Sequence, residues 1–183
     1  VDAAYGMHQL LLNREIYEEV IQARLPFARK FIWIVTADIK DMHVEMYTGY
    51  APFLQQLAEL VAKGVAVRLI HAKEPGPRFR EDFDHYEELL DSDLFERILC
   101  PRVHTKAIVI DNDIAFVGSP NLTGAGMGSK HEDKRNFEAG FLFDDGESIN
   151  KLVAWIDGLY LGDYCRDCRR REYCPDPIDE YHS

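Results

Sequence analysis

From Phe31 to Asp38 the chain reads Phe-Ile-Trp-Ile-Val-Thr-Ala-Asp, a β-branched and aromatic run whose first polar groups come only at its end. Such a run predicts a strand buried on both faces. Val65 to His71 repeats the pattern. Between the two lies Pro52 to Lys63, with apolar residues at helical spacing and Gly64 as its stop. Strand, helix and strand in that order predict a βαβ unit with a parallel pair, and so an α/β fold. Upstream, Ile16, Tyr17, Val20, Ile21 and Leu25 are spaced for one face of a helix over Arg14 to Lys30. Asn13 is placed as its N-cap, and Pro26 is where it should end or kink.

After Pro75-Gly76-Pro77, residues Glu81 to Asp91 predict a short acidic helix with Phe83, Tyr86, Leu89 and Leu90 as its apolar face. Four strand candidates follow: Phe95 to Leu99, Val103 to Ile110, Ile114 to Gly118 and Phe137 to Phe143. The turn-like Asp111-Asn112-Asp113 joins the middle pair. A last helix, Glu147 to Leu161, puts Leu152, Trp155, Ile156 and Tyr160 on one side. The expected architecture is a mixed β-sheet flanked by helices on both faces, one domain over residues 1–161, with a cysteine-rich tail over 162–183.

A length of 183 residues suits that single core. The balance of 21 Lys and Arg against 32 Asp and Glu gives a net charge of −11, which argues against a general polyanion binder and confines any phosphate chemistry to a local site. Apolar runs are all shorter than the ~18 residues that cross a bilayer. With the cysteine spacing, this leads to an expectation of a cytoplasmic protein. The opening Val1 leaves room for a preceding segment.

The chemistry concentrates in His104-Thr-Lys106-Ala-Ile-Val-Ile-Asp111, followed after six residues by Gly118-Ser119-Pro-Asn121, and then by Asn136-Phe-Glu138. Side chains at i and i+2 of a strand share a face, so His104 and Lys106 should converge as imidazole and ammonium. Ser119, Asn121 and Thr123 supply small polar donors for a tetrahedral oxyanion. Glu138 is placed to accept a hydrogen bond from one ring nitrogen of His104 and free the other for attack or protonation. The same alternation sets Asp111 opposite His104 and Lys106, which assigns it a structural role.

The pattern H-x-K-x4-D-x6-G-S-x-N resembles the HKD signature of the phospholipase D superfamily, whose members cleave or exchange phosphodiesters through a phosphohistidine without a catalytic metal. The resemblance extends over Phe31 to Phe143. It implies His104 as nucleophile or acid, Lys106 as phosphate-binding cation, Ser119 and Asn121 as supporting donors, and Glu138 as the residue orienting the histidine. Members of the superfamily usually carry two such motifs, and this chain has one. The near-copy His71-Ala-Lys73 runs into Glu-Pro-Gly-Pro-Arg78 and lacks the strand that would aim it. A two-fold homodimer bringing His104 of each subunit to one phosphate is therefore expected.

Substrate preference rests on weaker features. Residues 100–140 are electrically neutral, and Lys130, His131, Lys134 and Arg135 offer a local rim for anions, which favours nucleic acid. Phospholipid is the alternative, with only Leu122 and Met127 in the glycine-rich loop as candidates for docking to lipid. A module that binds phosphate without turnover, as part of a longer protein, is the non-enzymatic reading. In the tail, Cys165-x2-Cys168-x5-Cys174 with Cys100 provides four thiolates for a structural Zn²⁺, an iron–sulfur cluster being the alternative and His182 a substitute fourth ligand. Arg169, Arg170 and Arg171 are expected as a solvated turn. His8, His43, His85 and His131 are expected to play no part in the chemistry.

Overall fold

The computed structural model describes residues 6–40, 42–47 and 49–178. Its main sheet has seven strands: β1 (His8–Leu12), β2 (Phe31–Thr36), β5 (Ala66–His71), β6 (Phe95–Leu99), β7 (Ala107–Ile110), β8 (Ile114–Gly118) and β9 (Ala139–Phe143), in the order β1-β9-β8-β7-β2-β5-β6. The predicted parallel pair is present, with Phe31 opposite Ala66 and Thr36 opposite His71. On its other side β2 runs antiparallel to β7, Ile34 facing Ile108. A separate hairpin joins β3 (His43–Met46) to β4 (Gly49–Pro52) ahead of α2 (Phe53–Ala62). The fold is thus a mixed α/β sheet with helices on both faces, as the sequence predicts.

The helical elements differ in detail from the sequence pattern. Arg14–Ile16 (α1) passes into a π-helical stretch, Tyr17–Gln22, and a 3₁₀ turn, Leu25–Phe27, ends the element at Pro26 before Lys30 is reached. Asn13 occupies the cap position but its side chain makes no cap bond; at φ 51 it accepts instead from the backbone N–H of Glu138, 3.0 Å away. The acidic helix is two pieces, α3 (Pro77–Phe83) and α4 (Glu87–Leu90). Pro77 sits in the first turn of α3, where its missing N–H has no intrahelical partner to lose.

Alternation along the strands divides the core. Ile32, Ile34, Leu69, Ile108 and Phe116 pack toward α2 and the N-terminal helical segment. Ala107, Val109 and Ala115 pack toward Ile149 and Ile156 of α5 (Gly146–Leu161). On that second face Arg68 lies between Trp33 and Tyr160, with its guanidinium 4.2 and 3.7 Å from the two ring centres, and bonds Glu96 and Asp157. Gly118 and Gly140 face each other in β8 and β9, and a Cβ on either would strike the buried Phe116 ring.

Candidate active site

One end of the sheet gathers the polar residues. The C-terminal ends of β2, β5 and β8 and the N-terminal ends of β7 and β9 all reach it. Strand β7 begins at Ala107, so His104, Thr105 and Lys106 lie just before the ladder rather than within a strand starting at Val103. Lys106 is nevertheless tied in, its carbonyl accepting from Gly118 N–H at 3.1 Å. The expected convergence is present: Lys106 Nζ lies 3.3 Å from His104 Nδ1, with His104 exposed and Lys106 half-buried.

Asn121 is held from β2. Its Oδ1 accepts from the Asp38 N–H at 3.1 Å, which commits the carbonyl inward and leaves the amide NH₂ as the donor. The buried Thr36 hydroxyl accepts from Leu122 N–H and donates to the Asp38 carbonyl, and Ile39 bridges to Leu122. The loop then closes on itself through Gly126 N–H to Thr123 Oγ1 at 3.0 Å, and Arg14 reaches across to the Gly128 carbonyl at 2.7 Å. Leu122 and Met127 are 1% and 3% exposed, so the two residues expected to dock lipid are core residues. Their apolar side chains are what anchors an otherwise glycine-rich loop to the sheet.

Ser119 and Glu138 are brought together, and the hydroxyl donates to Glu138 Oε2. The other carboxylate oxygen accepts from Asn136 at 3.1 Å, and Ser119 Oγ accepts from Ala139 N–H. Glu138 therefore bonds Ser119 and Asn136 here, not His104 as expected, and the Ser119 proton is directed at a carboxylate rather than into an anion pocket. Sheet order supplies the reason. β8 lies between β7 and β9, setting the backbones that carry His104 and Glu138 two strand spacings, roughly 10 Å, apart. Ser119 stands in the gap.

Asp111 is 8% exposed and caps the start of β2, accepting from the N–H groups of Arg29, Lys30 and Phe31 at 2.8, 2.7 and 3.0 Å. With Asn112 it takes positive φ, 57° and 61°, to make the β7–β8 turn. His71 is fully buried, and its Nδ1 lies 2.7 Å from the Lys73 carbonyl. Burial pushes its pKa below the usual histidine value, so it stays neutral and out of reach of substrate. Sequence reasoning missed Thr36 and Asn13, which hold the Asn121 loop and the Glu138 backbone; a buried hydroxyl at the end of an apolar strand was the available signal for Thr36. It also missed a cleft of about 680 Å³ that opens beside Asp38 and Gly124, with Lys40, Arg78 and Lys130 on its walls.

This sheet and site define a phospholipase D-like domain. The family description "Cardiolipin synthase, PLD-like domain" matches residues 21–160, and the chain belongs to that family. Proteins named cardiolipin synthase 2 from Bacillus anthracis and Bacillus cereus are each 29% identical over 145 residues, 76% of this chain but 25% of their own length. The chain thus spans about a quarter of these relatives. Among solved structures, NucT from Helicobacter pylori has a TM-score of 0.57 at 17% identity, covering 82% of this chain and 93% of its own. Nuc from Salmonella typhimurium, a phospholipase D family member, has a TM-score of 0.59 at 16% identity, covering 84% and 93%. TrmBL2, an archaeal chromatin protein, has a TM-score of 0.55 at 13% identity over 87% of this chain and 54% of that one. Among the described residues no helix is long and apolar enough to cross a membrane.

Proposed function

We propose that two copies of this chain form a metal-independent phosphodiesterase, acting on nucleic acid, with His104 of each copy facing one phosphorus atom. Nε2 of one His104 attacks phosphorus, and the bond to the leaving oxygen breaks as that oxygen takes a proton from the partner subunit's His104. A phosphohistidine remains. Water then attacks phosphorus, its proton passes to the partner subunit's His104, and the P–N bond breaks to restore the imidazole. Lys106 and the Asn121 amide offset the charge that builds on the non-bridging oxygens.

The observation that carries this reading is the 3.3 Å approach of Lys106 Nζ to His104 Nδ1 at an exposed end of the sheet. An ammonium can only donate, so Nδ1 accepting from it puts the ring proton on Nε2, and Nε2 gives that proton to the leaving oxygen as Nδ1 takes one from the ammonium, so that the ring stays neutral. A phosphate oxyanion draws the ammonium away, Nδ1 takes up the proton and Nε2 becomes free to attack. Two further features support the assembly and the polymer. Leu10, Leu12 and Phe141, 52%, 47% and 53% exposed, make an apolar strip across β1 and β9, suited to a second copy. The cleft with Lys40, Arg78 and Lys130 adjoins Asn121 through Asp38 and gives a phosphate-bearing strand somewhere to lie.

A phospholipid substrate is the second reading, favoured by the names of the Bacillus relatives and by the same apolar strip. The deciding experiment incubates the protein with single-stranded DNA, duplex DNA, RNA and phospholipid vesicles in excess chelator. Cleavage of a nucleic acid that disappears in His104→Ala is the expected result; turnover of vesicles alone assigns the lipid reading. Activity surviving His104→Ala overturns both. Subunit-exchanged mixtures of equal wild type and His104→Ala should retain about a quarter of the wild-type rate if both histidines are needed, and about half if each acts alone.

A further inference from the structure

The C-terminal segment folds back on the domain instead of leaving it. Gly162, at φ 83, ends α5, and Asp176 Oδ2 then accepts from the Leu99 N–H at 3.0 Å, fixing the tail to the end of β6. Between them run four successive i to i+3 backbone bonds: Cys165 to Gly162, Cys168 to Cys165, Arg171 to Cys168 and Cys174 to Arg171, at 2.8 to 3.2 Å. These are successive turns, the last of them a 3₁₀ turn over Arg171–Tyr173, and they space Cys165, Cys168 and Cys174 along the tail. Opposite stands Cys100, whose backbone N–H bonds the His71 carbonyl and whose carbonyl accepts from Val103.

All four cysteines are free thiols and line one cavity of about 230 Å³, which His104 and Thr105 also border. Arg102, Arg170 and Arg171 line the same space, and Arg102 Nη1 lies 3.7 Å from Cys168 Sγ. Four thiolates around a dication or a cluster leave net negative charge, which N–H···S bonds and guanidinium groups offset. Three arginines read as a solvated turn thus include two that border the sulfurs. His182 lies outside the described residues.

We propose that Cys100, Cys165, Cys168 and Cys174 are the four ligands of a thiolate-bound metal centre, zinc or an iron–sulfur cluster, that clamps the tail onto the segment carrying His104. Among the described residues no three such side chains are gathered closely enough to hold a single ion, so binding zinc or a cluster draws the four sulfurs together across the cavity they line. The full chain is produced anaerobically with iron and zinc both supplied, and metal and acid-labile sulfide are counted per chain. About one zinc, or about four irons with matching sulfide and a broad absorption near 400 nm, is expected and names the occupant. X-ray absorption at the metal edge should show a shell of sulfur alone, and needs no variant. Cys100→Ser and Cys168→Ser should each lose the metal. A metal-free chain, a shell containing nitrogen or oxygen from the protein, or full occupancy in Cys100→Ser overturns the proposal. None of these readouts depends on the substrate assigned above.

Discussion

Replacing Asp111 with alanine removes an acceptor of three backbone N–H groups, from Arg29, Lys30 and Phe31. Hydrogen bonds to a charged acceptor contribute about 1.5–3 kcal/mol each. Arg29 and Lys30 are exposed, so water recovers part of that, and the lower end applies. The positive φ of 57° adds to the loss, because alanine tolerates it less well than aspartate. Together these give about 3–5 kcal/mol, or a fall in Tm of about 10 °C or more in a chain of this size. Asp111→Asn keeps one oxygen in place and should lose about half as much. The check is thermal unfolding by circular dichroism at pH 7, paired with diester turnover per folded molecule at a temperature where both variants remain folded. Turnover should stay within about threefold of wild type. An unchanged Tm with turnover down by about a hundredfold or more would refute the assignment of Asp111 as the residue that holds β2 and β7 together.

Gly140→Ala drives a methyl group into the buried Phe116 ring and toward the Val117 carbonyl, so unfolding should become easier by about 1–3 kcal/mol, read from denaturant titration with unchanged slope. Ser119→Ala and Glu138→Ala each remove one end of the same hydrogen bond, so the double variant should be no slower than the slower single one; additive losses in kcat would separate their roles. Asp145 caps α5 through the Ser148 N–H, which holds its carboxyl below the ordinary value of 3.8. The folded state therefore binds this proton less readily than the unfolded chain. Its contribution is complete above pH 3.8 and is lost as pH falls from there toward the lowered value. Asp145→Asn should flatten that acid limb in Tm against pH, and a limb identical to wild type counts against the cap.

The strands most plainly legible in the sequence are the central ones, with most of their residues buried. Phe31 to Val35 and Val67 to Ile70 need no partner to be recognised, because an unbroken β-branched run has few other places to go. Strand β1 escapes for the opposite reason: it is a five-residue edge strand with only Leu11 buried, and it exists because β9, more than a hundred residues later, supplies its ladder. The hairpin of β3 and β4 is likewise hidden, its exposure pattern showing one buried residue in each strand. The helix over Arg14 to Lys30 has the right apolar face but not the expected geometry. The π-helical stretch shifts the backbone bonds to i+5, as between Ala23 N and Glu18 O, a change that a period near 3.6 cannot register.

The same distinction governs the site. His104 and Lys106 are two residues apart, so local alternation is enough to bring them together, and their contact appears although the strand itself starts three residues later than His104. The partner of the Glu138 carboxylate depends on strand order, which no spacing along the chain encodes: β8 inserts between β7 and β9, and the Ser119 hydroxyl donates to the carboxylate in place of the imidazole. A histidine whose Nδ1 faces an ammonium rather than a carboxylate carries its ring proton on Nε2 and cannot attack until that proton moves, whereas the phosphohistidine mechanism proposed above needs one ring free to attack. In the proposed dimer the asymmetry comes from phosphate binding, which moves Lys106 away in one subunit before the other. Lys106→Met should then lower the rate of phosphohistidine formation in rapid-quench trapping far more than the rate of its hydrolysis, since water attack follows after the nucleophile has been freed. Equal losses in both steps would mean that Lys106 only offsets charge and does not control the tautomer of His104.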